Sequence, residues 1–323
     1  MTRFVLDSHL PDDHLAKALA ADVRAGLGGT PKTLPPKWFY DERGSKLFDQ
    51  ITELAEYYPT RTERELLRTH SGDVAAACPA DTLVELGSGS SEKTRLLLDA
   101  LDKAGTLRRY VPVDVSPGAL IPASEALLTT YPRLEIHGLI ADFEKHLDHL
   151  PDAERRIVAF LGGTIGNLTP AQRAEFLAGI RGGMGPNDMF LLGTGLVIDP
   201  AVLVPAYDDA AGVTAEFNKN VLRVINRDLD ADFDLDAYEH VAVWDAGPEW
   251  IEMRLRSQRD QRVRIGGLDL DISVAAGEQI RTEISAKFRK AGITAELAAA
   301  GFELVAWWQD PDARFALSLS RPA

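Results

Sequence analysis

A glycine-rich run, Glu85-Leu86-Gly87-Ser88-Gly89-Ser90-Ser91, follows a short apolar segment and leads into helical spacing. Glycines at such a turn let the main chain approach a ligand closely. Two acids stand at comparable places further on. Asp114, in Val113-Asp114-Val115-Ser116, lies 25 residues beyond Gly89, the distance expected across a βαβ unit. A carboxylate there can take both hydroxyls of a ribose. Asp142, in Ala141-Asp142-Phe143, can accept an adenine amino group while the Phe143 ring packs nearby. Taken singly, each acid reads as readily as a solvated loop residue or a helix cap. Together they fall at the carboxyl ends of successive strands, the edge where open α/β sheets bind ligands. A fourth strand ends in Gly162-Gly163-Thr164-Ile165-Gly166-Asn167-Leu168, where glycines crowd around one asparagine. That suggests main chain brought close to a second ligand.

The elements that would hold these residues alternate. Apolar strands are expected at 83–86, 110–113, 134–140, 157–161 and 189–192, with helices over 92–104, from Pro117 and from Pro170. Thr169 and Gln172 form a capping box before the last of these. Such alternation predicts a mostly parallel sheet with helices on both faces, a Rossmann-like fold. Before it, helices are expected over 12–25, 45–54 and 61–77, with a proline-rich connection at 30–36. After Gly195 the alternation lapses into a helix over 214–224, an acidic loop at 228–236 and period-two segments at 239–244 and 250–256. A helix at 295–300 and strands at 302–308 and 315–320 close the chain. The expected division is a ligand-binding Rossmann-like domain of 62–196 and 286–323. A second, smaller, discontinuous substrate-binding domain of 1–61 and 197–285 would cover the active edge of the sheet.

Composition narrows the partners. A formal charge of −14 repels phosphate backbones and anionic lipid, so neither nucleic acid nor a membrane is expected. No apolar run nears the roughly 20 residues that span a bilayer, and the first residues lack the apolar core of a signal peptide. Cys78 is the single cysteine, which excludes an internal disulfide and a thiolate-rich metal site. His146 and His149 cluster, but their spacing reads as a polar loop or helix end, so no metal is expected. A cytoplasmic monomer is the expected form. Glu92 in place of a third glycine argues against a nicotinamide-dependent dehydrogenase. Glu85, two residues before the first glycine, is more typical of enzymes that use S-adenosylmethionine (SAM). The cofactor expected on these grounds is SAM, and the reaction a methyl transfer. A non-catalytic SAM-binding protein would not need the polar glycine-rich run at 162–168.

Four motifs, YDERGSKLFDQITELAEYYPTRTE (40–63), VELGSGSSEKT, FLGGTIGNL and RTEISAKF (281–288), together resemble the histidine-specific methyltransferases of ergothioneine biosynthesis, of the actinobacterial type. The resemblance covers nearly the whole chain. It implies trimethylation of the α-amino group of L-histidine to hercynine. It implies donor contacts at Glu85, Gly87, Ser88, Lys93, Asp114, Asp142 and Phe143. It places Asn167 and Tyr207 at the carboxylate and amino end of histidine, with Gly162 and Thr164 beside them. Glu283 and Ser285, flanking Ile284, would read the imidazole, with Met253 packed near it. Tyr57 and Tyr40 would line the pocket, and Tyr57, Asn167 and Tyr207 would stand closest to the chemistry. Without the resemblance, Glu283 reads as a strand-end surface acid, Tyr57 and Tyr207 as core aromatics, and Lys93 as a solvated first-turn residue. Methylation of another amino acid or small amine is the alternative, because acceptor choice rests on few residues.

Overall fold

A computed structural model of the chain describes residues 3–11, 13–89, 91, 93–142, 150–151 and 153–323. Strand β1 (Phe4–Ser8) precedes helices α1 (His14–Leu27), α2 (Glu42–Glu53) and α3 (Tyr58–Ala77). The alternating part runs β2 (Thr82–Leu86), α4 (Arg95–Lys103), β3 (Arg109–Asp114), α5 (Pro117–Thr130), β4 (Glu135–Ile140), β5 (Arg156–Phe160), α6 (Pro170–Gly182) and β6 (Met189–Gly195). Then come α7 (Pro200–Leu203), α8 (Val213–Asp228), β7 (Tyr238–Asp245), β8 (Trp250–Ser257), β9 (Gln261–Ile265), β10 (Leu270–Val274) and β11 (Gln279–Ala286). Helix α9 (Lys290–Ala299) and strands β12 (Phe302–Gln309) and β13 (Phe315–Pro322) complete the chain.

The chain forms two compact units. The first comprises Met1–Pro11, Thr62–Leu196 and Phe288–Ala323, the second Asp12–Arg61 and Val197–Lys287. The sequence reading puts residues 1–61 together, whereas the first eleven go with the large sheet. Their strand β1 pairs parallel with β4, Phe4 opposite Ile136 through Ser8 opposite Ile140. So short an edge strand leaves no periodic signature.

In the first unit eight strands lie in the order β1-β4-β3-β2-β5-β6-β13-β12. The first six are mutually parallel where they pair, β13 pairs antiparallel with β6, and β12 pairs antiparallel with β13. Central β2 and β5 are buried along their whole length, which is why both read as unbroken apolar runs. Strand order reverses about β2 and β5, the switch point at which a crevice opens beyond the strands' carboxyl ends. The turn at 87–89 follows β2 and the run at 162–167 follows β5, so both lie at that crevice.

The second unit contains the sheet β11-β8-β7 and the hairpin β10-β9, with helices α1, α2 and α8. Its core gathers Leu19, Phe39, Phe217, Val221, Tyr238, Met253 and Ile280. Strand β11 breaks register. Arg281 faces Arg254, yet Glu283 faces Met253, and Thr282 is the extra residue of a β-bulge. Strict alternation would align Glu283, Ser285 and Lys287 with Arg281. The bulge turns Glu283 and Ser285 to the side of Met253 and Ile251, and Ile284 to the opposite side with Glu252. Buried hydrogen bonds pin the bulge. Thr282 Oγ1 donates its one hydrogen to Asn218 Oδ1 (2.6 Å) and lies 3.0 Å from the Met253 carbonyl. Asn218 Nδ2 donates to His240 Nδ1 (2.8 Å), and His240 Nε2 donates to the Tyr207 carbonyl (2.8 Å). His240 is therefore a neutral imidazole, in keeping with burial, which lowers its pKa.

Replacing Thr282 with Val keeps the shape but removes the hydroxyl, stranding buried Asn218 Oδ1. The expected loss is about 1–3 kcal/mol of stability, read from urea unfolding, with Thr282→Ser much closer to the wild type. Equal stability of the Val and Ser variants would show that the hydroxyl does not hold the bulge.

Candidate functional site

The donor-side residues are built from the ends of β2, β3 and β5. Gly87 and Gly89 both have positive φ, 67° and 49°, and Ser91 reaches 55°. The Gly87 N–H donates to the Val113 carbonyl (2.8 Å), tying the turn to the neighbouring strand. A Cβ built on Gly89 would meet nothing within 4 Å, so the turn borders open space. Asp114 closes the turn from the other side. Its carboxylate accepts the Gly89 N–H (3.0 Å) and the Ser116 N–H (2.9 Å), and burial raises its pKa despite those bonds. Two carboxylate oxygens holding one N–H each retain lone pairs for a pair of hydroxyls. Ser88 Oγ is buried and has no hydrogen-bond partner among the described residues. An orphaned hydroxyl, left-handed glycines and a desolvated carboxylate beside open space fit a nucleoside-bearing ligand.

Glu85 sits deeper than a ligand contact would. It is only 5% exposed, and its carboxylate accepts the hydroxyls of Thr94 and Tyr110. Thr94 precedes α4 without capping it, because its hydroxyl is used on Glu85. Glu85 thus joins β2, β3 and the start of α4. Burial pushes its pKa up to about 7, against the opposing pull of both hydroxyls. Asp142 is half-buried just beyond β4. Phe143, Ser90, Glu92, His146 and His149 lie outside the described residues.

Lys93 proves to be paired. Its ammonium donates to Glu63, a carboxylate on α3 with no exposed surface. The other oxygen of Glu63 accepts the Gly162 N–H at 2.7 Å. One buried acid therefore links the lysine after the donor turn to the first glycine after β5. Gly193 makes room for it, since a Cβ there would lie 2.2 Å from Glu63 Oε1. Sequence reasoning missed Glu63. Its only signal was an acid inside a helix otherwise free to expose it. Gly162 and Gly163 take positive φ of 79° and 69°, and Thr164 Oγ1 donates to the Leu161 carbonyl (3.0 Å). Asn167 ends the short 3₁₀ turn Thr164–Asn167 and is half-buried.

A second group of functional side chains gathers in the second unit. Tyr207 OH lies 2.8 Å from Ser285 Oγ. Lys287 Nζ donates to both, at 2.7 Å each, and sits 4.8 Å from the Tyr207 ring centre. His240 holds the Tyr207 carbonyl, and two residues on, Asp209 accepts the Val213 and Thr214 N–H groups at the start of α8. The Tyr57 ring meets Tyr207 edge-on at 6.4 Å and Phe48 at 6.0 Å. Tyr40 packs on Phe48 and Phe217 and remains 43% exposed. Burial raises the Tyr57 and Tyr207 hydroxyls well above the usual range, so both stay protonated at neutral pH. Glu283 is half-buried, and among the described residues no donor reaches its carboxylate. Desolvation pushes it up to about 7, moderated by Lys287, whose own pKa burial lowers to about 7.

Three sequence assignments look different in this geometry. Tyr207 and Ser285, given to opposite ends of a ligand, share a hydrogen bond. Ile284 turns to the other face of β11 from Glu283 and Ser285. Met253 is opposite Glu283 but only 1% exposed, a core residue behind the acid. Lys287 was not among the expected residues, because regular alternation assigns a lysine to solvent. No helix among the described residues is long and apolar enough to cross a membrane.

The wild-type Glu85 provides a pH test. Its folded pKa lies above the usual 4.5, so its contribution to stability is full below about pH 4.5 and is lost as pH rises through about 7. Stability of the wild type relative to Glu85→Gln is expected to fall between pH 5 and pH 8 in urea titrations. A difference independent of pH would mean that Glu85 is ionised throughout.

The family model described as histidine-specific, SAM-dependent methyltransferase matches residues 19–322. The chain is 58% identical over 315 residues to the histidine N-alpha-methyltransferase of Mycolicibacterium smegmatis, covering 98% of each. It is 56% identical over 318 residues to the protein of the same name in Mycobacterium tuberculosis, covering 98% of this chain and 99% of that one. Ergothioneine biosynthesis protein 1 of Neurospora crassa is 38% identical over 201 residues, 61% of this chain and 23% of its own length.

Proposed function

The chain belongs to the family of histidine-specific, SAM-dependent methyltransferases, and from that premise we propose that it trimethylates the α-amino group of L-histidine, yielding hercynine for ergothioneine biosynthesis. The observation that carries the acceptor is Glu283, a half-buried carboxylate without a donor, beside the hydroxyls of Ser285 and Tyr207. An imidazole offers one N–H and one bare nitrogen, the complement of a carboxylate and a hydroxyl on one face. A site whose polar groups need those partners rejects side chains that lack them. We assign Glu283 and Ser285 to the ring, with Tyr40 and Tyr57 beside them. Asn167 and Tyr207, with Gly162 and Thr164, serve the carboxylate and amino end. Ile284 offers only main chain, and Met253 backs Glu283.

When bound, SAM supplies a methyl group on a sulfonium that departs as a neutral thioether. The turn at 87–89 and Ser88, with Asp114, Asp142 and Lys93, would hold it. Glu85 and Glu63 act as supports for that set. The protein's part is alignment and exclusion of water, since the donor is already activated. The attacking amine must first lose a proton. The raised Tyr57 and Tyr207 hydroxyls are poor acceptors for it, which favours release through water. Their ring faces suit the growing ammonium. The working form is a cytoplasmic monomer, a reading supported by the acidic composition and the buried lone thiol of Cys78.

Calorimetric titration of two variants separates the roles. Glu283→Ala is expected to weaken histidine binding at least tenfold and leave SAM binding within about twofold. Asp114→Ala is expected to do the reverse. Loss of both ligands in either variant would reject the assigned role of that residue.

A further inference from the structure

Glu63, in α3, is a fully buried carboxylate with both oxygens in use. One accepts the Lys93 ammonium, the other the Gly162 N–H at 2.7 Å. At the far end of that same peptide the Leu161 carbonyl accepts Thr164 Oγ1 (3.0 Å). The first peptide of the run after β5 is therefore clamped at both ends, and one clamp is the partner of the donor-side lysine. Strands β2 and β5 are direct neighbours, so the ion pair spans the crevice between the donor turn and that run. The lysine keeps hydrogens to spare. Its side chain is 21% exposed, and among the described residues its ammonium meets Glu63 with one of three hydrogens. The carboxylate cancels the lysine's charge from a place that water does not screen. Gly193 leaves room for it, and the Phe315 ring borders the same space.

That cancellation matters because donor and product differ in charge. SAM carries a sulfonium, whereas its product, S-adenosylhomocysteine (SAH), carries a neutral thioether and is otherwise alike. A lone ammonium in the crevice would oppose the first and spare the second. We propose that Glu63 is a positioning residue that neutralises Lys93 across this crevice, and so keeps the site from favouring the neutral product over the cationic donor. The inference rests on the reading that Lys93 borders the donor. Each methyl transfer leaves SAH in the site, so this preference bears on every exchange of product for donor.

The test reads a ratio. Dissociation constants of SAM and SAH are measured by calorimetry without histidine, so that no turnover occurs, and the SAM value is divided by the SAH value. Glu63→Gln keeps the volume and an acceptor for the Gly162 N–H while removing the charge. Its ratio is expected to rise about fivefold, through weaker binding of SAM. Glu63→Asp keeps the charge, and its ratio is expected to stay within about twofold of the wild type even where both ligands bind more weakly. Lys93→Met leaves the carboxylate uncancelled, so both ligands are expected to weaken and the ratio to fall. A purely structural brace would weaken SAM and SAH alike. An unmoved ratio in Glu63→Gln, or an equal rise in the Gln and Asp variants, therefore overturns the proposal. Should Glu63→Gln not fold, an unmoved ratio in Lys93→Met with both ligands weakened overturns it instead. Wild-type affinity of Lys93→Met for both ligands overturns the placement of the donor beside Lys93, the reading beneath the proposal.

Discussion

A carboxylate taken out of water must be hydrogen-bonded, paired or neutralised. That constraint accounts for much of what surrounds the functional residues. In the first unit Glu63 is met by Lys93 and the Gly162 N–H, Glu85 by the hydroxyls of Thr94 and Tyr110, and Asp114 by two main-chain N–H groups. Each acid fixes a loop as a consequence of being satisfied. Asp114 shapes the donor turn, Glu85 anchors the helix that follows it, and Glu63 ties that helix's approach to the glycine after β5. Gly193 is small because Glu63 occupies the space a side chain would take. Glu283 in the second unit differs. It is desolvated like the others, yet among the described residues nothing donates to it. A desolvated acceptor without a donor is the feature that ligand binding would complete.

The sheet was readable from its sequence because parallel strands buried on both faces are continuous apolar runs. The central strands, the glycine turn and the acid at the end of β3 follow from pattern and spacing. Helix α4 begins at Arg95, later than expected, and the Thr94 hydroxyl before it binds Glu85 instead of capping the helix. Strand β1 carries no signal of its own and exists through pairing with β4. Strands β9 and β10 form a hairpin inside a region that looked irregular.

The second unit was harder to read for a specific reason. Period-two reasoning sends Arg281, Glu283, Ser285 and Lys287 to one face and so to water. One extra residue at Thr282 reverses that outcome for everything after it. A bulge has no reliable local signature, and this one is held by Asn218 and the Met253 carbonyl, far away in sequence. The roles of Glu283 and Ser285 came from resemblance, and Lys287 came from neither source. Chemistry that depends on a register shift is visible only once the strands are paired.

The central claim is that the acceptor is histidine and that its amine is methylated three times. It is tested most directly by mass spectrometry of the purified protein incubated with SAM and each of the twenty amino acids in turn. The account predicts products heavier by one, two and three methyl groups from histidine alone. The same series from a different amino acid, with histidine unchanged, would contradict it.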